Sequence, residues 1–308
     1  MRAIRLRRTS SVGAWGAAML AVSVVALLCA SPARALTQIS SCGTTLSSPG
    51  DYQVSAELSC VGDGITITSS GVHVNLAHHV LTGNGTGTGL SVVGVDGDVD
   101  VRNGTLTGFA TGVRIDGALG VNLSAVTATG NATGMVLANA HSNDITDTLV
   151  MNNTGDGIQA SSSGHNMITA SVGNGNGGAG LVGQDFHDNV LTGNGFHTNS
   201  GDGVRLDGGS HGNLFRANDV ADNGGHGLRL VSADGNTLKA NIVRGNGDTG
   251  IRVQAGSTQN LLQGNTAQQN STLDVADLNS HPCTDNSWKS NNFTTDNEGD
   301  GSHAGCIR

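Results

Sequence analysis

The sequence predicts an all-β solenoid, in which the chain winds through about ten similar coils of short parallel strands. Two observations favour this fold: a repeat of nearly constant length, and asparagines that recur in phase with it. A third observation argues against a helical repeat: apolar residues keep helical spacing for more than one turn only near the N-terminus. A fixed repeat of roughly 20 to 50 residues is typical of solenoids.

Residues 1–35 have the features of a secretory signal peptide. Four arginines precede a nearly apolar run over residues 13–30, and Ala33-Arg34-Ala35 provides an A-x-A cleavage site. We expect cleavage after Ala35 and no membrane span afterwards, because no basic stop-transfer flank follows the apolar run. The expected location is therefore secreted, either extracellular or periplasmic.

The mature chain is expected to be strongly acidic. Cleavage removes five of the 15 basic residues and none of the 24 acidic ones, which leaves a formal charge of −14. Nucleic acids and anionic lipids bind positively charged surfaces. The charge therefore argues against nucleic acid and anionic membranes as partners.

Four cysteines remain after cleavage, and an even number in an exported chain indicates disulfides. They are Cys42, Cys60, Cys283 and Cys306. Three connectivities exist, and Cys42–Cys60 with Cys283–Cys306 is favoured because each pair closes a short local loop. A zinc site is disfavoured, since neither pair has C-x-x-C spacing. Each pair falls in a segment expected to cover an open end of the solenoid, 36–63 as the N-terminal cap and 283–308 as the last coil and C-terminal cap.

The repeats occupy residues 64–282. Each begins with the pattern Gly-apolar-x-apolar, and successive starts are 22 to 25 residues apart. The starts are Gly64, Gly89, Gly112, Gly134, Gly157, Gly180, Gly203, Gly227 and Gly250, with a degenerate copy at Thr272. Short alternating runs separated by Gly and Asn are typical of strands and turns.

Asparagines recur with these starts in three series, which run over residues 131–270, 143–260 and 194–265. Stacked strands lie about 4.8 Å apart, so equivalent asparagines of successive coils are expected to form hydrogen-bonded ladders. Leucine-rich repeats have a similar length, but leucine is not dominant here and that repeat has one Asn ladder. Calcium-binding nonapeptide repeats are excluded by the absence of G-G-x-G-x-D.

The repeat starts and in-phase asparagines of residues 64–293 resemble those of the right-handed parallel β-helix superfamily, which includes pectate lyases. The resemblance implies a right-handed parallel β-helix with disulfide-linked end caps. It is much less specific for function, because this fold hosts lyases, hydrolases, epimerases, adhesins and non-catalytic proteins.

The stretch Asp185-Phe186-His187-Asp188 resembles the Asp-Pro-His-Asp motif of alginate C5-epimerases and related β-helix lyases. The resemblance implies that Asp185 and His187 exchange a proton at C5 of a uronic acid, with Asp188 matching the last motif residue. Two departures weaken it, since Phe186 replaces the proline and Val182 stands where the family has a tyrosine.

His187 also occupies a turn position of the repeat, two residues before a ladder asparagine, as do His141 and His211. The alternative interpretation of His187 is therefore structural. His187 and His211 would lie on adjacent coils, near enough to share a metal ion. Gly164 interrupts the series and no third ligand is identifiable, so the sequence predicts no metal site.

The third repeat position should point outward, because its apolar neighbours point inward. It is occupied by Arg205, Arg229 and Arg252 in three successive repeats, and by Asp274 in the degenerate last one. Neighbouring like charges are unfavourable. An anionic ligand such as a uronate or sulfated glycan would relieve that cost through bidentate contacts. Alternatively, Asp202, Asp207 and solvent neutralise the arginines.

Asp96, Asp98 and Asp100 form D-x-D-x-D, which makes calcium the one candidate cofactor. Val101 and Thr107 stand where a calcium loop of the EF-hand type has Gly and Glu, so a solvated turn is the preferred interpretation.

Together these patterns favour a secreted, non-catalytic protein that binds an extracellular acidic polysaccharide or partner along one face. A polysaccharide lyase or uronan C5-epimerase is the enzymatic alternative, and periplasmic metal handling is a third. Aromatic residues, which stack on sugar rings, make up 3% of the chain. This scarcity argues against a long processive sugar cleft.

Overall fold

The computed structural model describes residues 35–299 and 305–308, without the side chains of residues 282 and 283. The predicted signal peptide, apart from Ala35, lies outside the described residues. The described chain forms 31 β-strands and one four-residue helix. No helix in these two ranges is long and apolar enough to cross a membrane.

The strands are short and follow one another at regular intervals. The first eleven are β1 (Leu36–Ile39), β2 (Thr44–Leu46), β3 (Gly50–Val54), β4 (Leu58–Ser59), β5 (Ile65–Ile67), β6 (Val72–Asn75), β7 (Val80–Thr82), β8 (Thr88–Val93), β9 (Asp96–Thr107), β10 (Thr111–Asp116) and β11 (Leu119–Thr129). The next ten are β12 (Thr133–Ala138), β13 (Asp144–Thr146), β14 (Leu149–Met151), β15 (Ile158–Gly164), β16 (Met167–Thr169), β17 (Val172–Asn174), β18 (Leu181–His187), β19 (Val190–Thr192), β20 (Gly195–His197) and β21 (Val204–Asp207). The remaining elements are β22 (Leu214–Arg216), β23 (Asp219–Ala221), β24 (Leu228–Leu230), β25 (Thr237–Lys239), β26 (Ile242–Arg244), β27 (Ile251–Val253), β28 (Leu261–Gln263), β29 (Thr266–Gln268), β30 (Val275–Asp277), α1 (Pro282–Asp285) and β31 (Ser287–Lys289).

All strand pairs are parallel, and they build three sheets along the solenoid. Sheet A contains β2, β5, β8, β10, β12, β15, β18, β21, β24, β27 and β30. Sheet B contains β1, β3, β6, β9, β11, β13, β16, β19, β22, β25, β28 and β31. Sheet C contains β4, β7, β9, β11, β14, β17, β20, β23, β26 and β29, since β9 and β11 extend through both B and C. The described chain thus makes eleven coils, and the predicted all-β parallel solenoid is confirmed.

The segment predicted as the N-terminal cap has the same architecture as the repeats. Its strands β2 and β3 pair in parallel with β5 and β6 of the next coil. The predicted disulfide Cys42–Cys60 is present, with a Cα–Cα distance of 5.5 Å. Cys306 is also disulfide-bonded, and its predicted partner, Cys283, has a side chain outside the described residues.

The core is a narrow column of apolar side chains enclosed by the three sheets. In each repeat the second and fourth positions are buried, as Val204 and Leu206 are in β21. Glycine begins the repeat because the next coil passes too close for a side chain. A Cβ at Gly203 would lie 2.8 Å from both the amide nitrogen of Asn223 and the carbonyl oxygen of Gly227.

The asparagine ladders are confirmed, and they satisfy every polar atom of the buried amides. The Asn189 oxygen accepts hydrogen bonds from the backbone N–H and the amide of Asn166, both at 2.9 Å. The Asn189 amide donates to Asn213 Oδ1 at 3.0 Å and to the Ser163 carbonyl at 3.1 Å. The same scheme links consecutive coils in all three series.

Each ladder ends on a group that only accepts hydrogen bonds. The amide of Asn270 donates to Asp274 Oδ1 at 3.2 Å, and that of Asn286 to Asp277 Oδ2 at 2.9 Å. The third ladder ends where the amide of Asn291 donates to the Arg308 carbonyl at 3.0 Å.

The predicted register of the last repeat is wrong. In β30, Val275 pairs with Ile251 and Ala276 pairs with Arg252, so Asp274 does not continue the outward arginine position. Asp274 is buried and accepts hydrogen bonds from Asn270 and from the backbone N–H of Thr295. The strand starts two residues later because this carboxylate is held inside as the ladder's last acceptor.

Replacing a ladder asparagine should destabilise the protein far more than replacing an exposed one. Asn213→Ala removes four hydrogen bonds, two from Asn189 and one each to Asn236 and Phe186, and leaves the buried backbone N–H of Asn189 without an acceptor. Each lost hydrogen bond costs on the order of 1 kcal/mol, so we expect a loss of about 3 kcal/mol or more. Urea denaturation followed by circular dichroism measures the change.

The matched control is Asn122→Ala, because Asn122 is exposed and its amide donates to Asp100 at 3.3 Å. That change should cost below about 1 kcal/mol. Equal effects of the two substitutions would contradict the stabilising role of the ladder.

Candidate functional site

Sheet A carries three stacked arginines on its outer face, here called the arginine column. Its members are Arg205, Arg229 and Arg252, which pair in register on β21, β24 and β27. The spacing between neighbouring strands is about 4.8 Å, so the three side chains emerge in one row along the solenoid axis. Val182 precedes the column and Ala276 follows it. The predicted alignment of these arginines is confirmed.

Acidic side chains neutralise the positive charges of the arginine column to different extents. Arg205 binds Asp207 Oδ2 through both Nε and Nη2, each at 3.0 Å. Arg229 has only a longer contact of 3.6 Å from Nη1 to Asp202 Oδ2. Its Nε is buried and has no hydrogen-bond partner among the described residues. A buried N–H without an acceptor is costly, so the guanidinium group of Arg229 is incompletely satisfied.

Arg252 has a neutral partner, because its Nε donates to Gln254 Oε1 at 3.2 Å. The nearby His226 is buried and accepts a hydrogen bond at Nδ1 from the Thr249 N–H at 3.2 Å. Burial lowers the pKa of His226, and this effect outweighs the carboxylates of Asp202 and Asp248, which raise it. At neutral pH the imidazole is therefore uncharged, and the positive charge of this face is that of the guanidinium groups.

The residues predicted as catalytic lie at the corner where sheet A turns into sheet B. Asp185 has a left-handed backbone (φ +50°) and an exposed side chain. Phe186 is fully buried, so Asp185 and His187 on either side of it lie on the outer surface. His187 Nδ1 is 3.4 Å from Asp188 Oδ2.

Four histidines from successive coils gather at this corner. The ring centroid of His187 lies 5.3 Å from that of His211 in a nearly parallel stack, and 5.9 Å from those of His141 and His165. The predicted series His141, Gly164, His187 and His211 is in register. His165 follows Gly164 and occupies the left-handed turn position (φ +59°) that Ser142 and Asp188 occupy in the neighbouring coils. The repeat pattern did not predict this contact, since His165 is one place out of register.

The corner and the arginine column are separate surfaces. Arg205 pairs with Val182, which precedes His187 by five residues on β18, or up to about 16 Å along the strand. In the described ranges no hydrogen bond or ion pair joins Arg205 to Asp185 or His187. Tyr52 is the sole tyrosine of the chain and donates to the Ser48 carbonyl. It lies on β3, six strands along sheet B from β19, the strand that follows His187.

The D-x-D-x-D carboxylates contact different side chains. Asp98 Oδ1 lies 3.3 Å from His73 Nε2, and the other ring nitrogen of His73 lies 3.0 Å from Asp51 Oδ1. Asp100 accepts a hydrogen bond from Arg102 at 2.9 Å. A register shift between Leu119 and Val121 marks a bulge beside this segment. The carboxylates of Asp98 and Asp100 are thus paired with a titratable and a cationic side chain.

Comparison with known proteins shows a consistent fold. A family model described as "Right handed beta helix region" matches residues 136–298. The A-module of the mannuronan C-5 epimerase AlgE6 from Azotobacter vinelandii has a TM-score of 0.64 and 18% identity, over 84% of this chain and 83% of that one. The Dettilon tailspike protein (gp208) has a TM-score of 0.63 and 13% identity, over 88% of this chain and 60% of that one.

The periplasmic alginate epimerase AlgG has a TM-score of 0.54 and 15% identity, over 82% of this chain and 76% of that one. No curated protein matches the chain significantly in sequence. At such low identities the structural likeness shows the fold alone.

The paired carboxylates should make His73 titrate abnormally. Hydrogen bonds to Asp98 and Asp51 raise the pKa of His73 above its ordinary value of 6.5. Because the folded state prefers the protonated ring, its stabilisation is complete below that ordinary pKa. It is lost as the pH rises through the higher pKa of the folded state.

NMR titration of the His73 ring measures this pKa directly. His73→Gln should lower the melting temperature more at about pH 5 than at about pH 8. A midpoint at or below 6.5 would contradict the pairing, and His281→Gln, on an exposed residue, serves as the control.

Proposed function

The chain belongs to the right-handed beta helix family, and on that basis we propose that it is an exported protein that binds an acidic polysaccharide along the arginine column. The observation that carries the proposal is the row of three stacked guanidinium groups, in which Arg229 is 3.6 Å from its acidic partner and Arg252 has a neutral partner. An extended polyanion supplies the negative charge that Arg229 and Arg252 lack at close range.

The geometry of the column suits a linear ligand that follows the solenoid axis. Such a polymer meets one guanidinium per coil, about every 4.8 Å. The planar guanidinium can bind a carboxylate or sulfate in a bidentate manner, and the ligand charge removes the repulsion between stacked arginines. The rest of the chain is acidic, so it repels polyanions and leaves the column as the attachment site.

Proteins of similar fold support this class of ligand and this location. Two of them are a mannuronan epimerase and a periplasmic alginate epimerase, whose names refer to polymers of uronic acids. The periplasmic alginate epimerase, together with the predicted signal peptide, supports an extracellular or periplasmic site of action.

The column should be needed for binding to an acidic polysaccharide such as alginate or polygalacturonate. The double variant Arg205→Ala with Arg229→Ala removes two charge-assisted contacts, so we expect at least a tenfold loss of affinity, or about 1.4 kcal/mol. Biolayer interferometry on immobilised polymer measures it, and wild-type binding should weaken as salt is raised.

The matched control is Arg114→Ala. Arg114 occupies the same repeat position in β10 and pairs with Asp116 at 2.6 Å, but its neighbours in the stack are Ser91 and Val136. This variant should bind like the wild type, and neither protein should bind the neutral polymer dextran. Unchanged binding by the double variant would remove the column from the proposal.

A second candidate function is a uronan lyase or C5-epimerase at the corner. The Asp-x-His-Asp pattern and the contact between His187 and Asp188 favour it, because a neighbouring carboxylate orients an imidazole for proton transfer. A lyase would generate unsaturated uronate ends that absorb ultraviolet light, whereas an epimerase would change only the proton NMR spectrum of the polymer.

Activity of either kind should fall at least a hundredfold in His187→Gln while polymer binding persists. Absence of both signals in the wild-type protein, with and without calcium, would exclude this candidate.

A further inference from the structure

Three side chains with metal-binding atoms converge at the corner from two successive coils. Asp188 Oδ2 lies 3.4 Å from His187 Nδ1 and 3.9 Å from His165 Nε2. All three ligand atoms lie within 4.8 Å of one another, and in the described part of the chain no other group of three combines such atoms. His165 and Asp188 are largely exposed, so solvent reaches them freely.

These distances are close to those of a tetrahedral metal site. Zinc binds imidazole nitrogen and carboxylate oxygen at about 2.0–2.2 Å, which places neighbouring ligand atoms about 3.3 Å apart. The contact between His187 and Asp188 already meets this spacing. His165 Nε2 lies 3.9 Å from Asp188 Oδ2, and because its side chain is exposed, rotation can bring it closer.

The ligand set selects the class of metal. Two imidazole nitrogens and one carboxylate oxygen suit zinc and similar divalent transition metals, whereas calcium and magnesium prefer oxygen ligands alone. The fourth position would hold water.

The fold holds the His187 ring in place before any metal binds. A Cβ on Gly164, directly below it in the stack, would lie 2.5 Å from His187 Nδ1, so only glycine leaves room for the ring. On the other side the ring stacks on His211, whose Nδ1 is 2.8 Å from the Gly209 carbonyl. The backbone of Asp188 is fixed by its N–H, which donates to the His211 carbonyl at 2.9 Å.

We propose that this corner is a binding site for a divalent transition-metal ion, with His165 Nε2, His187 Nδ1 and Asp188 Oδ2 as its ligands. The site is independent of polysaccharide binding, because none of its ligands belongs to the arginine column. It gives His187 a role beyond its turn position in the repeat.

Zinc titration of the chelator-treated protein by isothermal titration calorimetry tests the proposal. We expect one zinc ion per chain, with at least a tenfold loss of affinity in His165→Ala and in Asp188→Asn. Affinity should also fall as the pH is lowered, because protons compete for the ligands. Cobalt(II) should give the visible absorption of a tetrahedral complex in the wild type and lose it in both variants.

The matched control is His197→Ala, because His197 and Asp219 form a histidine–carboxylate pair at 3.5 Å without a third ligand. That variant should bind zinc like the wild type, as should Arg229→Ala, which separates this test from that of polysaccharide binding. Gly164→Ala should weaken zinc binding without removing a ligand. If Gly164→Ala fails to fold, the exposed His165→Ala decides the question.

No zinc binding at about 1 mM would overturn the proposal, as would equal affinity in wild type and His165→Ala. So would cobalt spectra that are the same in His165→Ala and the wild type.

Discussion

The hydrogen bond between asparagine amides of successive coils is the interaction on which the rest of this structure depends. Each buried amide donates to a backbone carbonyl of the preceding coil and to the asparagine of the next coil at the same time. A buried amide without these partners would be costly, so a coil that changed its length would lose several hydrogen bonds together. The ladders therefore keep the repeat length nearly constant, and the constant length aligns the outward side chains. The arginine column and the histidine corner are both products of that alignment.

Much of the fold could be predicted because its causes are local and recur in every repeat. The glycine at a repeat start and the asparagine four residues before it have the same surroundings in successive coils, so the same residue pattern recurs in the sequence. The outward direction of Arg205, Arg229 and Arg252 followed from the same alternation, and the structure has them in one row. The disulfide Cys42–Cys60 followed from its short loop.

What could not be predicted departs from the repeat. His165 lies one place out of register in the sequence, yet its ring centroid is 5.9 Å from that of His187 on the next coil. Asp274 looked like an outward residue because the last repeat start is degenerate, but the end of a ladder draws the carboxylate inside. How far the charge of Arg229 is neutralised depends on the distance between its guanidinium group and the Asp202 carboxylate. The repeat pattern does not predict distances between side-chain atoms.

The ladders also give the solenoid a direction. One N–H of each ladder amide donates to the asparagine of the next coil, so the last asparagine of a ladder needs an acceptor from outside the series. The C-terminal segment supplies all three, through the carboxylates of Asp274 and Asp277 and the carbonyl of Arg308. A carboxylate cannot pass the donation on, so these groups stop the stack and offer no amide to a second molecule. Such a protein can lengthen during evolution by duplicating an internal coil. An asparagine in a coil added after the last rung, in contrast, would find no amide to donate to its side-chain oxygen.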